Sequence, residues 1–332
     1  MALQSIPTGA IRYNTDSNKM ECFNGTKWYE ISVSSPDLNG GGRGVFAGGR
    51  DPSALNTIEY VTISTAGNAT DFGDLNYKPL APAGAADRTR GIISGGYTPS
   101  IVNTIDYITI SSTGNAADFV DLEAVQSYAA GVNSSTRGVF GGGWTPSGFL
   151  DTIQYVTIQS TGNAGDFGNI PTAGQVRAGA SSPTRGVFMG GYQASPVKAI
   201  NKINYITIAS TGDATDFGDL TNAVYGVGGC SNSIRAVAGG GNNSPTILNN
   251  IDYITISTLG NAVNFGDLTG IGSYNSGLSS PTRGIFGGGE NPSLIDVIQY
   301  ISFATQGDAV DFGNLSAARN STAGISNSNG GL

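Results

Sequence analysis

One phrase, repeated along this chain of 332 residues, constrains the fold more than any other feature. It reads GGRGVFAGG at 41–49, RTRGIISGG at 88–96, SSTRGVFGGG at 134–143, SSPTRGVFMGG at 181–191, SNSIRAVAGGG at 231–241 and SSPTRGIFGGG at 279–289. The arginines that anchor it are Arg43, Arg90, Arg137, Arg185, Arg235 and Arg283, at steps of 47, 47, 48, 50 and 48 residues. Two further phrases keep that step. IEYVTIS and its variants carry Tyr60, Tyr107, Tyr155, Tyr205, Tyr253 and Tyr300; GNATDFGDL and its variants carry Phe72, Phe119, Phe167, Phe217, Phe265 and Phe312. A period of this length suits propeller blades or helical arrays. The alternation in YVTIS and YITIS has the period of two that belongs to strands. Each unit therefore reads as four antiparallel strands. A weak small-residue strand such as YAAGVNSS comes first, then the RGVF strand, the tyrosine strand and, after a Gly-Asn turn, the DFGDL strand. Radial repetition of four-stranded sheets predicts a β-propeller.

The first RGVF segment has no small-residue strand just before it, while RNSTAGISNSNGGL, at 319–332, looks like one. Residues 319–328 are predicted to complete the first unit beside 43–49, which leaves no sheet edge open. A small-residue strand, a hydrophobic run ending in a Gly doublet, a tyrosine strand and a final strand with an aromatic together resemble the kelch repeat over about 41–332. Phe stands in all six units where that repeat carries Trp. The resemblance implies an all-β chain: a six-bladed kelch-like β-propeller closed by a C-terminal strand and preceded by a small β-hairpin module.

That module occupies 1–40, with SSPDLNGGG at 34–42 as linker, ahead of the repeats at 41–332. AIRYNT, KMECF and KWYEIS read as strands joined by turns at Asp16–Asn18 and at Asn24-Gly25. Gly9, Ile11, Arg12, Tyr13, Asn14, Asn18, Lys19, Phe23, Asn24, Gly25 and Trp28 resemble a short module of bacteriophage tail-fibre and other virion proteins. The whole combination is similar to virion proteins of cyanophage-like tailed phages. About forty residues bury little core alone. Ile11, Tyr13, Phe23 and Trp28 are therefore the expected contacts for oligomerisation or for docking on other virion proteins; a hairpin folded onto the repeats is the bland alternative. Fibre-like relatives imply a homo-oligomer, a trimer among the arrangements.

Composition narrows the partners. The formal net charge is −8, with Lys and Arg together only 16. A surface so poor in cations releases few counterions from a phosphate backbone, so no nucleic-acid partner is expected. An anionic membrane is disfavoured for the same reason, and no apolar run approaches the length of a spanning helix. The first residues, MALQSIPTGAIRYNT, lack the charged and apolar regions of a signal peptide, which implies synthesis in the host cytoplasm and a final location in the virion. Cys22 and Cys230 fall in different modules and read as unpaired small residues.

The chain has no histidine. Ser-His-Asp and Cys-His catalysis and most zinc sites need one, so no catalytic residue, metal or cofactor is expected. DFG recurs with the repeat, so it is not the kinase motif. Asp71, Asp118, Asp166, Asp216 and Asp311, with Asn264 in the fifth unit, are expected to cap turns and to pair with the six arginines. Residues present in every unit serve the unit; function is sought where units differ. After the Gly doublets stand Arg50, Tyr97, Trp144, Tyr192, Asn242 and Glu290, and before the small strands stand Tyr77, Tyr128, Tyr225 and Tyr274. Strand alternation places both loop sets on one face. Tyr97, Trp144, Tyr192, Asn242, Glu290, Tyr128, Tyr225 and Tyr274 are the candidate ligand contacts, since aromatic faces beside polar groups suit sugar rings. The expectation is a non-enzymatic tail-fibre or appendage adhesin contacting a host surface glycan or receptor. The alternatives are a capsid or tail decoration protein binding only virion proteins, and a glycan-degrading propeller using Glu290, Asp51 and Glu123.

Overall fold

A computed structural model describes residues 6–14, 19–30, 42–193, 196 and 198–332. The chain is all-β and divides into two compact units, Met1–Gly40 and Gly41–Leu332.

The first unit holds a three-stranded antiparallel sheet of Ile11–Asn14, Lys19–Phe23 and Trp28–Glu30. Asn24 closes the second turn: its side-chain oxygen accepts the Thr26 and Lys27 N–H groups at 3.0 and 2.9 Å, with Gly25 at φ +99°. The turn expected at Asp16–Asn18 and the linker over 34–41 lie outside the described residues. Register sorts the side chains. Ile11 opposes Cys22, Tyr13 opposes Met20 and Cys22 opposes Tyr29, so these five share one face. Arg12, Asn14, Glu21, Phe23 and Trp28 share the other.

The second unit consists of many small antiparallel sheets, six of them built on the repeat. In unit 1 the order is Ala323–Ser326, Arg43–Ala47, Thr57–Thr62, Thr70–Asp74. The pairing expected of the C-terminal segment is present: Ala323 opposes Ala47 and Ser326 opposes Gly44. Units 2, 3, 5 and 6 repeat the four-stranded order. Unit 4 is enlarged to six strands by Gly174–Gln175 and Tyr192–Gln193.

Apolar side chains fill the seams between sheets. Phe46, Val61 and Ile63 of unit 1 pack with Leu278, Ile285 and Phe312 of unit 6, and each other neighbouring pair shares a similar cluster. Every seam buries several Ile, Val or Phe side chains, each contributing about 1.5–3 kcal/mol relative to exposure.

Three chains of contacts run around the same six sheets. Ala81, Tyr128, Val176, Gly226, Tyr274 and Ser321 all adopt φ between +51° and +63°. Each donates its backbone N–H to the carbonyl of the equivalent residue in the preceding unit: Tyr128 to Ala81, Val176 to Tyr128, Gly226 to Val176, Tyr274 to Gly226, Ser321 to Tyr274 and Ala81 to Ser321. The chain of bonds returns to its start. Deeper in, the inner strands carry Gly84, Gly131, Gly179, Gly229, Gly277 and Gly324 at one register position. A Cβ on Gly131 would overlap the Gly84 carbonyl, one on Gly179 the Gly131 carbonyl, and so on round to Gly324 against Gly277. Only glycine permits that approach.

The arginines form the third chain, and here the expectation fails. They do not pair with the DFG aspartates. Each guanidinium lies over the tyrosine of its own unit, from 4.3 Å for Arg43 on Tyr60 to 5.0 Å for Arg235 on Tyr253. Each also donates to a carbonyl of the next unit: Arg43 to Ile110, Arg90 to Ile158, Arg137 to Ile208, Arg185 to Ile256, Arg235 to Phe303 and Arg283 to Ile63, at 2.5–3.1 Å. A cation on an aromatic face that also satisfies a carbonyl needs no carboxylate. The turn-capping role of the aspartates is corrected as well. Asp71, Asp118, Asp166, Asp216 and Asp311 are exposed on the outer strands. Capping falls to Asn68, Asn115, Asp213, Asn261 and Asp308, which accept N–H bonds from the outer strand of the preceding unit.

Candidate functional site

In all six units the residue after the Gly doublet bridges to the segment that enters the inner strand. Arg50 pairs with Asn320, Tyr97 with Leu80, Trp144 with Ser127, Tyr192 with Gln175, Asn242 with Tyr225 and Glu290 with Ser273. The two variable loop sets thus lie together, unit by unit.

Only part of the candidate set converges. The Phe149 and Tyr192 rings stand 6.1 Å apart, Tyr192 and Tyr225 4.8 Å, and Tyr225 and Tyr274 6.1 Å, each pair edge-on. This arc runs from unit 3 to unit 6. Near its far end Glu290 accepts a 2.8 Å bond from the Asn320 amide, and Arg50 approaches it at 3.5 Å. Electrostatics places Tyr128 in the same neighbourhood. Burial raises its phenol above the ordinary value, Arg50 opposes that shift and Glu290 adds to it. Burial raises Tyr274 too, helped by Tyr225, Glu290 and Tyr128. Tyr225 is raised by burial, then by Tyr192 and Glu290. These three phenols are neutral hydroxyls at physiological pH. Edge-packed tyrosines on a hydrogen-bonded backbone form a rigid, amphipathic surface that needs little ordering to bind a ring.

The other candidates make none of the arc's ring contacts. Tyr97 is 40% exposed and has no aromatic neighbour among the described residues. Trp144 opposes Phe149 in the extended hairpin of Arg137–Thr145 and Gly148–Thr157. Asn242 spends its side-chain oxygen on the Ser244 N–H within its own loop. Tyr77 is a packing residue, its hydroxyl donating to the Gly95 carbonyl at 2.9 Å. Phe149 and Asn320 were not picked out by sequence. The hairpin WTPSGF could have pointed to Phe149, and alignment of Ser321 with Tyr274 could have pointed to Asn320.

In the first unit the four candidates divide between two faces. Ile11 and Tyr13 are 61% and 54% exposed, on the face shared with Met20 and Tyr29. Phe23 and Trp28 stack at 5.3 Å on the opposite face, where Arg12 lies 4.2 Å over Trp28 and binds Glu21 at 2.7 Å. Hydrogen bonds from Asn14 and Arg12 hold the Glu21 carboxyl below its ordinary value.

Among the described residues no group of three or more His, Cys, Asp or Glu side chains is placed to hold a metal ion. No described helix is long and apolar enough to cross a membrane. No protein-family model matches the chain, and no curated protein matches it.

Proposed function

We propose that the six sheets are the blades of one closed, six-bladed kelch-like β-propeller, and that the chain is a non-enzymatic tail-fibre or appendage protein of a tailed phage whose propeller loops hold a host surface glycan. The ring of backbone bonds from Ala81 through Ser321, and the pairing of Ala323–Ser326 with Arg43–Ala47, support the closed architecture. The observation that carries the binding reading is the Phe149–Tyr192–Tyr225–Tyr274 arc beside Glu290 and Arg50. It is asymmetric on an otherwise repetitive scaffold, and it joins stackable rings to paired donors and acceptors. Glu290 is engaged by Asn320 and Arg50, which suits holding hydroxyls better than moving protons. The exposed Ile11, Tyr13, Met20 and Tyr29 face supports attachment to another virion protein or to further copies of the chain, made in the host cytoplasm and carried on the particle.

The test is binding of the full chain to a broad surface-glycan panel. Tyr225→Ala is expected to weaken binding at least tenfold and Trp144→Ala by less than threefold. A full chain that binds no glycan on the panel overturns the adhesin reading. The decoration alternative then predicts retention on isolated capsids or tails, lost with Ile11→Asp.

A further inference from the structure

The aromatic arc ends beside an ion pair whose hydrogen-bonding capacity is only partly used. Glu290 stands across from Ser273, the residue before Tyr274, and the two exchange backbone bonds at 2.9 and 3.1 Å. Arg50 stands across from Asn320 in the same way. Asn320 is only 2% exposed, and its amide donates to Glu290 Oε2 at 2.8 Å, which fixes the carboxylate. Arg50 Nη2 approaches the same oxygen at 3.5 Å. Glu290 Oε1 receives no hydrogen bond from the described residues, and Arg50 Nε and Nη1 donate none to them. Both side chains reach the surface, Arg50 at 42% exposure and Glu290 at 24%. An uncommitted acceptor and uncommitted donors thus stand side by side. The same two ions act on the phenols of Tyr128 and Tyr274, and Glu290 acts on Tyr225, so the pair lies within electrostatic reach of the arc.

A hydroxyl answers both halves of such a pair, since it donates one proton and accepts another. A carboxylate or sulfate can only accept. It would bond Arg50 but set a second negative charge beside a carboxylate that Asn320 holds in place. An ammonium can only donate, and it would meet Glu290 with the Arg50 cation already alongside. The pair is balanced, so neither sign of ligand charge is compensated without breaking it. We propose that the arc selects neutral, hydroxyl-bearing sugars, and that Glu290, paired with Arg50, is the residue that turns carboxylated and sulfated sugars away. The inference rests on the glycan reading of the arc and adds to it the class of sugar. Discrimination by unmatched charge reaches further than the stacking surface can, because a ring face accepts neutral and charged sugars alike.

The test ranks the neutral, uronic-acid, sulfated and amino-sugar members of a glycan panel on the full chain at one ionic strength. The tightest binders are expected to be neutral, with charged members at least tenfold weaker. Glu290→Gln keeps an acceptor and leaves Arg50 without its counter-charge, so binding of the uronic-acid members should rise at least tenfold relative to the neutral ones. A tightest binder that carries charge overturns this inference and leaves the adhesin reading standing. A panel with no binder at all removes the adhesin reading, and this inference with it. An unchanged ratio of uronic-acid to neutral binding in a folded Glu290→Gln chain also overturns it; should that variant fail to fold, the ranking on the natural chain decides.

Discussion

At the scale of single residues, the repeated phrases turn out to encode seams more than strands. Arg185 covers Tyr205 at 4.7 Å and holds the Ile256 carbonyl of the next unit at 2.8 Å. Arg185→Ala should therefore cost about 1–3 kcal/mol in urea denaturation, with Lys recovering only part, since an ammonium does not lie flat on the ring while reaching the carbonyl. The residue before each tyrosine varies between Glu, Asp, Gln and Asn, and the seam explains much of that variation. Glu59, Asp106, Gln154, Asp252 and Gln299 each accept a backbone N–H from the preceding unit. Unit 4 carries Asn204, and the residue after Ile170 of unit 3 is Pro171, which has no N–H to offer. Glu59 alone also pairs with the buried Arg319. Glu59→Gln leaves that cation unpaired and should cost about 3–5 kcal/mol, whereas Glu59→Leu with Arg319→Met should recover most of it. Equal losses for the single and double variants would remove the ion pair as the cause.

At the scale of elements, the inner strands are the least tolerant part of the chain. Their glycines face the carbonyl of a neighbouring strand, so the clash from an added methyl is with backbone and cannot be relieved by a rotamer. Gly179→Ala should yield little folded protein, while Gly162→Ala, where a Cβ meets nothing, should leave the urea midpoint unchanged. Soluble yield and circular dichroism separate the two. The outer strands show the opposite design. Asp71, Asp118, Asp166, Asp216 and Asp311 stand exposed on edge strands, where charge discourages pairing with other chains. Unit 2 breaks its outer strand differently, with Val120 at the position where the other five units have glycine at φ +143° to +157°. Those five glycines sit against the turn of the next unit, and Phe119 is correspondingly the most exposed of the six final-strand phenylalanines, at 8%.

At the scale of the whole molecule, alkaline pH should loosen the fold. Burial raises the Tyr77, Tyr274 and Cys230 groups above their ordinary values, the phenols from 10.0 and the thiol from 9.0. The unfolded chain therefore sheds these protons first. Their contribution is fully present below the unfolded values and is lost as pH rises past 9 to 10 and beyond, so the urea midpoint should fall steadily between pH 8 and pH 11. A flat profile would mean that the phenols ionise equally in both states. The proposed closure has its own test at this scale. Removing the Ala323–Ser326 pairing leaves Arg43–Ala47 with an unpaired edge and uncovers the seam of Val45 and Ile58, so truncation after residue 318 should convert the chain to aggregate on size exclusion. A monodisperse truncated protein would show that the remaining sheets close without it.

The sequence alone established the four repeated strands of each unit, the period, the Asn24-Gly25 turn of the first module, and the return of the C-terminal segment to the first unit. These follow from local rules: alternation, glycine at turns and a missing strand in the first copy. It also located the variable loops, because departure from the repeat is visible without coordinates. What the arginines touch was decided only by tertiary structure. The tyrosine lies on the adjacent strand of the same sheet, but the carbonyl, some 70 residues away, becomes a neighbour only when sheets stand side by side. The same holds for the candidate site. Tyr192, Tyr225 and Tyr274 occupy different loops of consecutive units, and nothing in their spacing separates them from Tyr77, whose hydroxyl is buried in a seam, or from Trp144, which lies across from Phe149. An aromatic residue in a loop satisfies the same composition whether it packs or binds. The direction its ring takes depends on the sheets packed beside it, and that packing is a property of contacts between units, which no single unit carries.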